Sequence, residues 1–308
     1  MDKIRIGTRG SKLALWQAEH IAARLEQGGL DTEIVKIETK GDKILDVSIA
    51  KIGSKGVFTE EIEAQLADNQ IDIAVHSAKD MQSELPTGFE LIAFTEREVV
   101  NDVLVSRDTS HNLDSKGIKV GTSSTRRVAL LQHYHPNIEV VPMRGNLQTR
   151  IRKMDDGDCD ALILAYAGVH RMGYEDMIAQ RLSTEAFIPA VGQGSIAIEC
   201  NVHLDQEKKE AIRKLINHDT TEQALTAERA YLRTLQGGCS VPIFALASVK
   251  DDRVTITGGI ISLDGSTLVT KSAEGLAAQA VEVGEQLAEV VLTDRGREVL
   301  DEIKATLS

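Results

Sequence analysis

Apolar positions along the first part of the chain follow two alternating rhythms. Residues 3–7 (KIRIG) alternate as a strand does, whereas Leu13, Trp16, Ile21 and Leu25 recur at close to helical spacing. The opening therefore predicts strand, loop, helix. A second strand is predicted over Glu33–Thr39, a helix over Phe58–Ala67 with Thr59 as its N-cap, and a buried strand over Ile71–His76. The rhythm then repeats. IRIGTRGSKLALWQ at 4–17 is echoed by IKVGTSSTRRVALLQ at 118–132, with one extra residue in the second loop. IEVVPM at 138–143 parallels EIVKIE at 33–38, and DALILAYAG at 160–168 parallels DIAVHSAKD at 72–80. This internal repeat predicts two similar α/β units. In such units the loops after parallel strands collect at one sheet edge, where ligands bind, so the two would face each other across a cleft.

Val99–Val105 and the PAVGQG run at 189–194 are the predicted crossings between the units, each marked by a shift from charged to apolar residues or by paired glycines. Beyond Cys200, helix-like runs at 207–216 and 221–235 lead to GGCSVP, where the pattern changes. Alternating VTITGGIIS (254–262) and STLVT (266–270), followed by an amphipathic stretch from Ala273 to Leu307, predict strands covered by helices in a small α+β third domain.

Composition narrows the function classes. At 308 residues the chain has room for two domains or three. Lys+Arg 35 against Asp+Glu 47 leaves a net charge of −12, which repels polyanions and disfavours a general nucleic-acid or anionic-membrane binder. The early Arg5 and Arg9 and the absence of a long apolar run argue against secretion and membrane spanning. Cys159, Cys200 and Cys239 stand in no metal-type spacing, so a reducing cytoplasm is expected, with no disulfide framework and no metal. His133 and His135 lack a nearby third ligand, and no nucleotide-binding glycine motif occurs.

Against this acidic background the cations crowd the loops after strands: Arg9 with Ser11, Arg126 and Arg127 after Gly-Thr-Ser-Ser, and Arg144 and Arg150 in MRGNLQTR. Helix N-termini offer unpaired N–H groups and guanidinium groups add forked donors, so each loop suits a carboxylate or phosphate. Isolated arginines of this kind are usually solvated; their repetition in both units favours a ligand with many anionic groups. Lys51 and Lys55 sit in a glycine-containing loop, read either as a mobile cleft loop or as surface lysines. His76, Ser77, Lys79 and Asp80 close a strand together, and Asp80 is the single acid among them, suited to stabilise a cation, move a proton or cap a helix. Cys239 lies between glycines and a proline, either an accessible nucleophile or attachment point or a buried thiol; Cys159 and Cys200 border apolar runs and read as inert.

HSAKD, GTSSTRR, RGNLQTR, PAVGQG and GGCSVPI, in this order and spacing over about residues 4–245, closely resemble the porphobilinogen deaminase (hydroxymethylbilane synthase) family. The resemblance implies two periplasmic-binding-protein-like α/β domains around a cleft plus a small α+β C-terminal domain: 1–97 with 195–216, 98–194, and 217–308. It implies a dipyrromethane cofactor held by a thioether to Cys239, and head-to-tail condensation of four porphobilinogen molecules with loss of ammonia to give hydroxymethylbilane. Asp80 matches the family's catalytic aspartate, stabilising positive charge on pyrrole nitrogens. Ser11, Lys79, Asp80, Thr122, Ser123, Arg126, Arg127 and Arg144 match positions that meet the cofactor. Arg9, Lys55, Phe58, Ser77, Arg144 and Arg150 match positions that meet the substrate and the growing linear tetrapyrrole. A cytoplasmic monomer with hand-off to uroporphyrinogen III synthase is implied in the same way. The chain departs from the family pattern at Ser54, Met81-Gln82, Val99-Val100-Asn101 and Ser240. Two rivals fit parts of the pattern: a reversible anion-binding sensor on the same two-lobed plan, and an acyl transferase using Cys239 with a histidine.

Overall fold

The computed structural model describes residues 2–43, 59–238 and 240–307. Lys55, Phe58 and Cys239, and with them the departure at Ser54, lie outside the described residues.

The first unit opens with β1 (Ile4–Arg9), α1 (Lys12–Gln27) and β2 (Thr32–Ile37). It continues through α2 (Glu60–Ala67) and β3 (Ile73–Ser77), which ends in a 3-10 turn at Ala78–Asp80, to β4 (Phe89–Phe94). The chain crosses to β5 (Asp102–Ser106), then runs β6 (Lys119–Gly121), α3 (Thr125–Tyr134), β7 (Glu139–Val141) and α4 (Leu147–Asp155). β8 (Ala161–Ala165), α5 (Tyr166–Arg171) and β9 (Ile178–Arg181) follow. It then returns as β10 (Ile196–Asn201) and α6 (Gln206–Ile216). The last region comprises α7 (Asp219–Thr234), β11 (Ile243–Lys250), β12 (Arg253–Ile261), β13 (Leu268–Leu276), α8 (Ala280–Val291) and α9 (Arg297–Leu307).

The internal repeat reappears as topology. One sheet has the order β2-β1-β3-β10-β4 and the other β7-β6-β8-β5-β9, so corresponding strands occupy corresponding places. Each sheet is mixed rather than all-parallel: β10 runs antiparallel to β3 and β4, and β5 antiparallel to β8 and β9. The strand entering straight from a crossing runs against the others because no helical crossover turns it round. Residues 99–105 therefore hold four of the five residues of a buried strand as well as a crossing. Their period-two signal was masked because β5 is buried along its whole length. β10 escaped the pattern reading for a similar reason and β9 because it is short; β4 and β11 escaped it as well.

Thr59 stands at the predicted N-cap but makes no side-chain cap bond. The predicted amphipathic run from Ala273 divides: its first residues finish β13, and α8 and α9 follow, separated by a break in which Arg295 takes φ 61°. The three-stranded antiparallel sheet β11-β12-β13 packs on α7, α8 and α9 through Tyr231, Ile256, Leu287 and Ile303. Phe244 and Ile261 from this sheet enter the core of the second unit beside Leu104 and Leu130. Ile212 and Ile216 of α6 enter the core of the first, beside Ile4 and Ile73. Burial of one such side chain stabilises by about 1.5–3 kcal/mol, so Phe244 and Ile261 bind the third region to the second unit, while Ile212 and Ile216 fasten α6 to the first.

Candidate functional site

The end of β1 and the start of α1 form one wall. Ser11 caps α1, its hydroxyl accepting from Ala14 N at 3.3 Å. From the next turn Gln17 exchanges hydrogen bonds with the Ser77 hydroxyl, at 2.8 and 3.3 Å. Arg9, Ser11, Gln17, His76, Ser77 and Asp80 line a cavity of about 70 Å³. Asp80, at the end of the 3-10 turn, is exposed. Gly192 holds that turn from behind: with φ +77°, a β-carbon there would lie 2.8 Å from Ala78 C and 2.9 Å from Lys79 N. Only glycine allows so close an approach of backbone to backbone. Gly192 N in turn donates to the fully buried Glu228 at 2.8 Å. Glu228 also takes a forked pair of bonds from Arg97 at 2.6 and 3.1 Å and one from Ala247 N at 2.7 Å. The crossing segments, one of them packed behind the Asp80 turn, and the third region thus meet at one carboxylate.

The opposite wall comes from the second unit. Thr122 is buried, and Ser123 accepts from Met143 N at 2.8 Å, tying the β6 loop to the loop that carries Arg144. At the start of α3, Arg126 and Arg127 are buried and share one carboxylate. Asp102 Oδ2 accepts from Arg126 Nη2 at 2.6 Å and Asp102 Oδ1 from Arg127 Nη2 at 2.7 Å. Their Nη1 groups donate to the carbonyls of Ile188 (2.8 Å) and Ile163 (2.9 Å). Burial opposes the charge on Asp102, yet the two guanidinium groups and Gln193 outweigh it and hold the carboxyl far below the usual range.

The same two arginines each leave a buried Nε–H with no partner, and so do Arg144 (at Nη1) and Arg150 (at Nε). A buried unpaired donor costs about 1–3 kcal/mol, and a charged donor of this kind suits a carboxylate oxygen. Burial, with Arg127 nearby, pushes the half-buried Lys79 down to about 8, while Asp80 and Asp102 draw it back. Burial and Arg127 likewise push Arg150 down to about 10, against the pull of Asp80. These mutual influences put Lys79 and Asp80 of the first unit within electrostatic reach of Arg127 and Arg150 of the second.

The structure therefore brings together Lys79, Asp80, Arg127 and Arg150, links Lys79 to Asp102 through Gln193 (3.4 and 3.0 Å), and sets Arg9, Ser11 and Ser77 around the cavity beside Asp80. Asp102, Gln193, Gln17 and Gly192 were not singled out from sequence. The one signal for Asp102 was an acid opening the apolar run VLV. His133 and His135 are engaged separately, by Gly265 O at 2.7 Å and by Asp114 at 3.5 Å. Burial raises the thiols of Cys159 and Cys200 to about 11 and about 12, which fits inert groups. Among the described residues, no group of three or more His, Cys, Asp or Glu could hold a metal ion, and no helix is long and apolar enough to cross a membrane.

Residues 4–210 match the family described as "Porphobilinogen deaminase, dipyromethane cofactor binding domain", and residues 222–293 match "Porphobilinogen deaminase, C-terminal domain". A porphobilinogen deaminase of Cytophaga hutchinsonii is 58% identical over 306 residues, covering 99% of this chain and 98% of its own length. One from Desulfosudis oleivorans is 53% identical over 304 residues, covering 98% of each. Among solved structures the chain is similar to the periplasmic VFT2 domain of BvgS from Bordetella pertussis, at 18% identity and a TM-score of 0.43 over 69% of this chain and 86% of that one. With two domain matches in series and relatives of this identity over nearly its whole length, the chain belongs to the porphobilinogen deaminase family.

Proposed function

We propose that this protein condenses four porphobilinogen molecules head to tail, releasing one ammonia at each addition, and delivers linear hydroxymethylbilane for tetrapyrrole biosynthesis. The observation that carries the reading is the pair of unpaired buried donors on Arg127 and Arg150, within electrostatic reach of Lys79 and Asp80, with further unpaired buried donors on Arg126 and Arg144 of the same unit. Every pyrrole of this chemistry bears an acetate and a propionate, so each unit added brings two more carboxylates. Donors already buried and unpaired bind such groups without first giving up water or protein partners.

The same donors fit a dipyrromethane, whose two rings bear carboxylates of the same kind. Its attachment would be through Cys239 of GGCSVP, beside which Val241 N donates to Gly238 O at 3.0 Å. Ser11, Lys79, Thr122, Ser123, Arg126, Arg127 and Arg144 would hold it. When bound, it supplies the ring onto which the first substrate unit is joined. Arg9, Ser77, Arg144 and Arg150, with Lys55 and Phe58, would orient the incoming porphobilinogen and the growing chain. Asp80 places a carboxylate beside the reacting rings, where positive charge develops on pyrrole nitrogens as ammonia departs. Fixed groups of this kind contribute about 3–4 kcal/mol each. Asp102 keeps Arg126 and Arg127 charged and aimed, and Gly192 keeps the Asp80 turn in place.

The division into 1–97 with 195–216, 98–194 and 217–308 is supported by the return of β10 and α6 to the first unit. A cytoplasmic monomer that passes product to uroporphyrinogen III synthase completes the reading. Its test is incubation of the purified protein with porphobilinogen. One ammonia per porphobilinogen consumed is expected, and Asp80→Asn should slow release by about 10²–10³-fold. Reversible binding with no ammonia would replace this reading with that of an anion sensor.

A further inference from the structure

α7 meets the Asp80 turn with residues of one face. Leu225 is fully buried and shares a core cluster with Ala78 and Met81, the residues that flank Lys79 and Asp80. One helical turn on, Arg229 Nη2 donates to Gln82 O at 2.9 Å, at the exit of the turn. Between them Glu228 holds Gly192 N, and so the backbone packed behind Ala78 and Lys79. From the first unit, Ala78 N donates to Ser195 O at 3.0 Å, and Gln82 Nε2 donates to Thr59 Oγ1 at 3.0 Å and Glu63 Oε1 at 3.3 Å. Asp80 itself is exposed, so its carboxylate takes its place from the backbone on either side.

Arg229 has no role in the reading above, and its setting is a costly one. The guanidinium is half-buried, and its hydrogen bond goes to a neutral carbonyl, not to a carboxylate. Burial, with Arg233 nearby, pushes it down to about 10, while Glu199 draws it back. Taking a cation from water to meet a neutral partner costs stability that an apolar side chain would not cost. What the guanidinium supplies is direction, through a charge-assisted bond to one backbone oxygen. The helix that carries it also runs on toward the proposed attachment point. Gly237 N donates back to Leu232 O at 3.0 Å, and Leu235 is buried in the same core as Ile243, so the chain enters GGCSVP straight from α7.

We infer that Arg229 is a positioning residue for the Asp80 carboxylate: it fastens the exit of the Asp80 turn to the helix leading into GGCSVP, so that Asp80 keeps its place relative to the anchored end of the cofactor while units are added. The inference rests on the deaminase reading for its chemistry, yet the hold on the turn can be measured without turnover. Because Arg229 acts through a backbone oxygen, its loss should cost rate and not binding.

The first measurement is amide hydrogen exchange on the cofactor-bound protein. Ala78 and Met81, whose N–H groups donate to Ser195 O and Ala78 O, should be protected as well as the amides of α7. In Arg229→Met they should exchange at least about tenfold faster, with the sheet β11-β12-β13 unchanged. The second is a double-mutant cycle on kcat. Arg229→Met should lower kcat by at least about tenfold with KM changed by less than about twofold, as a small misplacement of a reacting group does. Arg229→Lys keeps a charged donor and should lower it by a smaller factor, about threefold. On Asp80→Asn the same Arg229→Met should lower kcat by less than about twofold, because no carboxylate is left to place. Equal losses with and without Asp80 would overturn the inference, as would an unchanged kcat. So would loss of the dipyrromethane adduct from Arg229→Met on intact mass, which would put the role of Arg229 at the attachment. If Arg229→Met does not fold, the cycle with Arg229→Lys decides, and Ala78 and Met81 exchanging as open chain in the unsubstituted protein would overturn the inference without any variant. Absence of ammonia release by the unsubstituted protein would instead defeat the functional reading and leave the exchange result standing.

Discussion

Replacing Asp102 by asparagine keeps the shape of the side chain and removes the charge that two buried guanidinium groups share. In the folded protein Arg126 and Arg127 approach its oxygens at 2.6 and 2.7 Å, and all three side chains are at most 8% exposed. An asparagine offers one oxygen to one arginine and turns an NH2 group toward the other. Removing one partner from a buried pair destabilises by about 3–5 kcal/mol, and with two arginines on one carboxylate the upper half of that range is expected. At a urea dependence of about 3 kcal/mol per molar, the midpoint should fall by about 1 M or more. Fluorescence- or circular-dichroism-monitored urea unfolding of the cofactor-free protein measures it. Because the carboxyl is held far below its unfolded value, its contribution is complete above about pH 4 and is lost only as pH falls through the depressed folded value. The difference between the two proteins should therefore be flat from about pH 5 to 8. A polyanionic occupant restores negative charge, so the cofactor-bound variant should lose less. A loss below about 1 kcal/mol would refute the claim that Asp102 preorganises these arginines.

Two further substitutions probe the Asp80 turn. Burial pushes Lys79 down to about 8, so the cofactor carboxylates should be held less well above that value: cofactor-free protein incubated with porphobilinogen is expected to gain its adduct more slowly as pH rises past 8, and Lys79→Arg, which stays charged, should flatten that fall in time-resolved intact mass. Gly192→Ala would drive a β-carbon against the backbone of Ala78 and Lys79. It should reduce kcat by at least about tenfold, as a small misplacement of a catalytic group does, with thermal unfolding as the control; unchanged kcat would show that the turn can move freely.

Much of this architecture was legible because it repeats. The strand, Gly-Thr loop and helix at 4–17 and 118–132 emerge as β1-α1 and β6-α3 in equivalent places of two sheets. The arginines after those loops stood out in the sequence, but their buried, carboxylate-sharing state did not. Asp102 lies 24 and 25 residues from its partners, and nothing local marks a carboxylate that two buried cations will share. Glu228 is similarly silent: it sits in an ordinary amphipathic helix, and only packing shows that it gathers Arg97, Gly192 and Ala247. Fully buried strands such as β5 and β10 lose the alternation on which strand recognition depends. Thr59 shows a local rule overruled by tertiary contacts, since its hydroxyl accepts from the Gln82 amide at 3.0 Å instead of capping α2. That bond ties the start of α2 to the exit of the Asp80 turn.

The most direct test of the account is the intact mass of the denatured protein, with and without Cys239→Ala. A covalent dipyrromethane at Cys239 predicts a mass above that of the 308 residues by two linked pyrrole units, absent from the variant, with cofactor-free protein gaining it on incubation with porphobilinogen. An unmodified chain that porphobilinogen leaves unmodified, or an adduct that survives in Cys239→Ala, would contradict it.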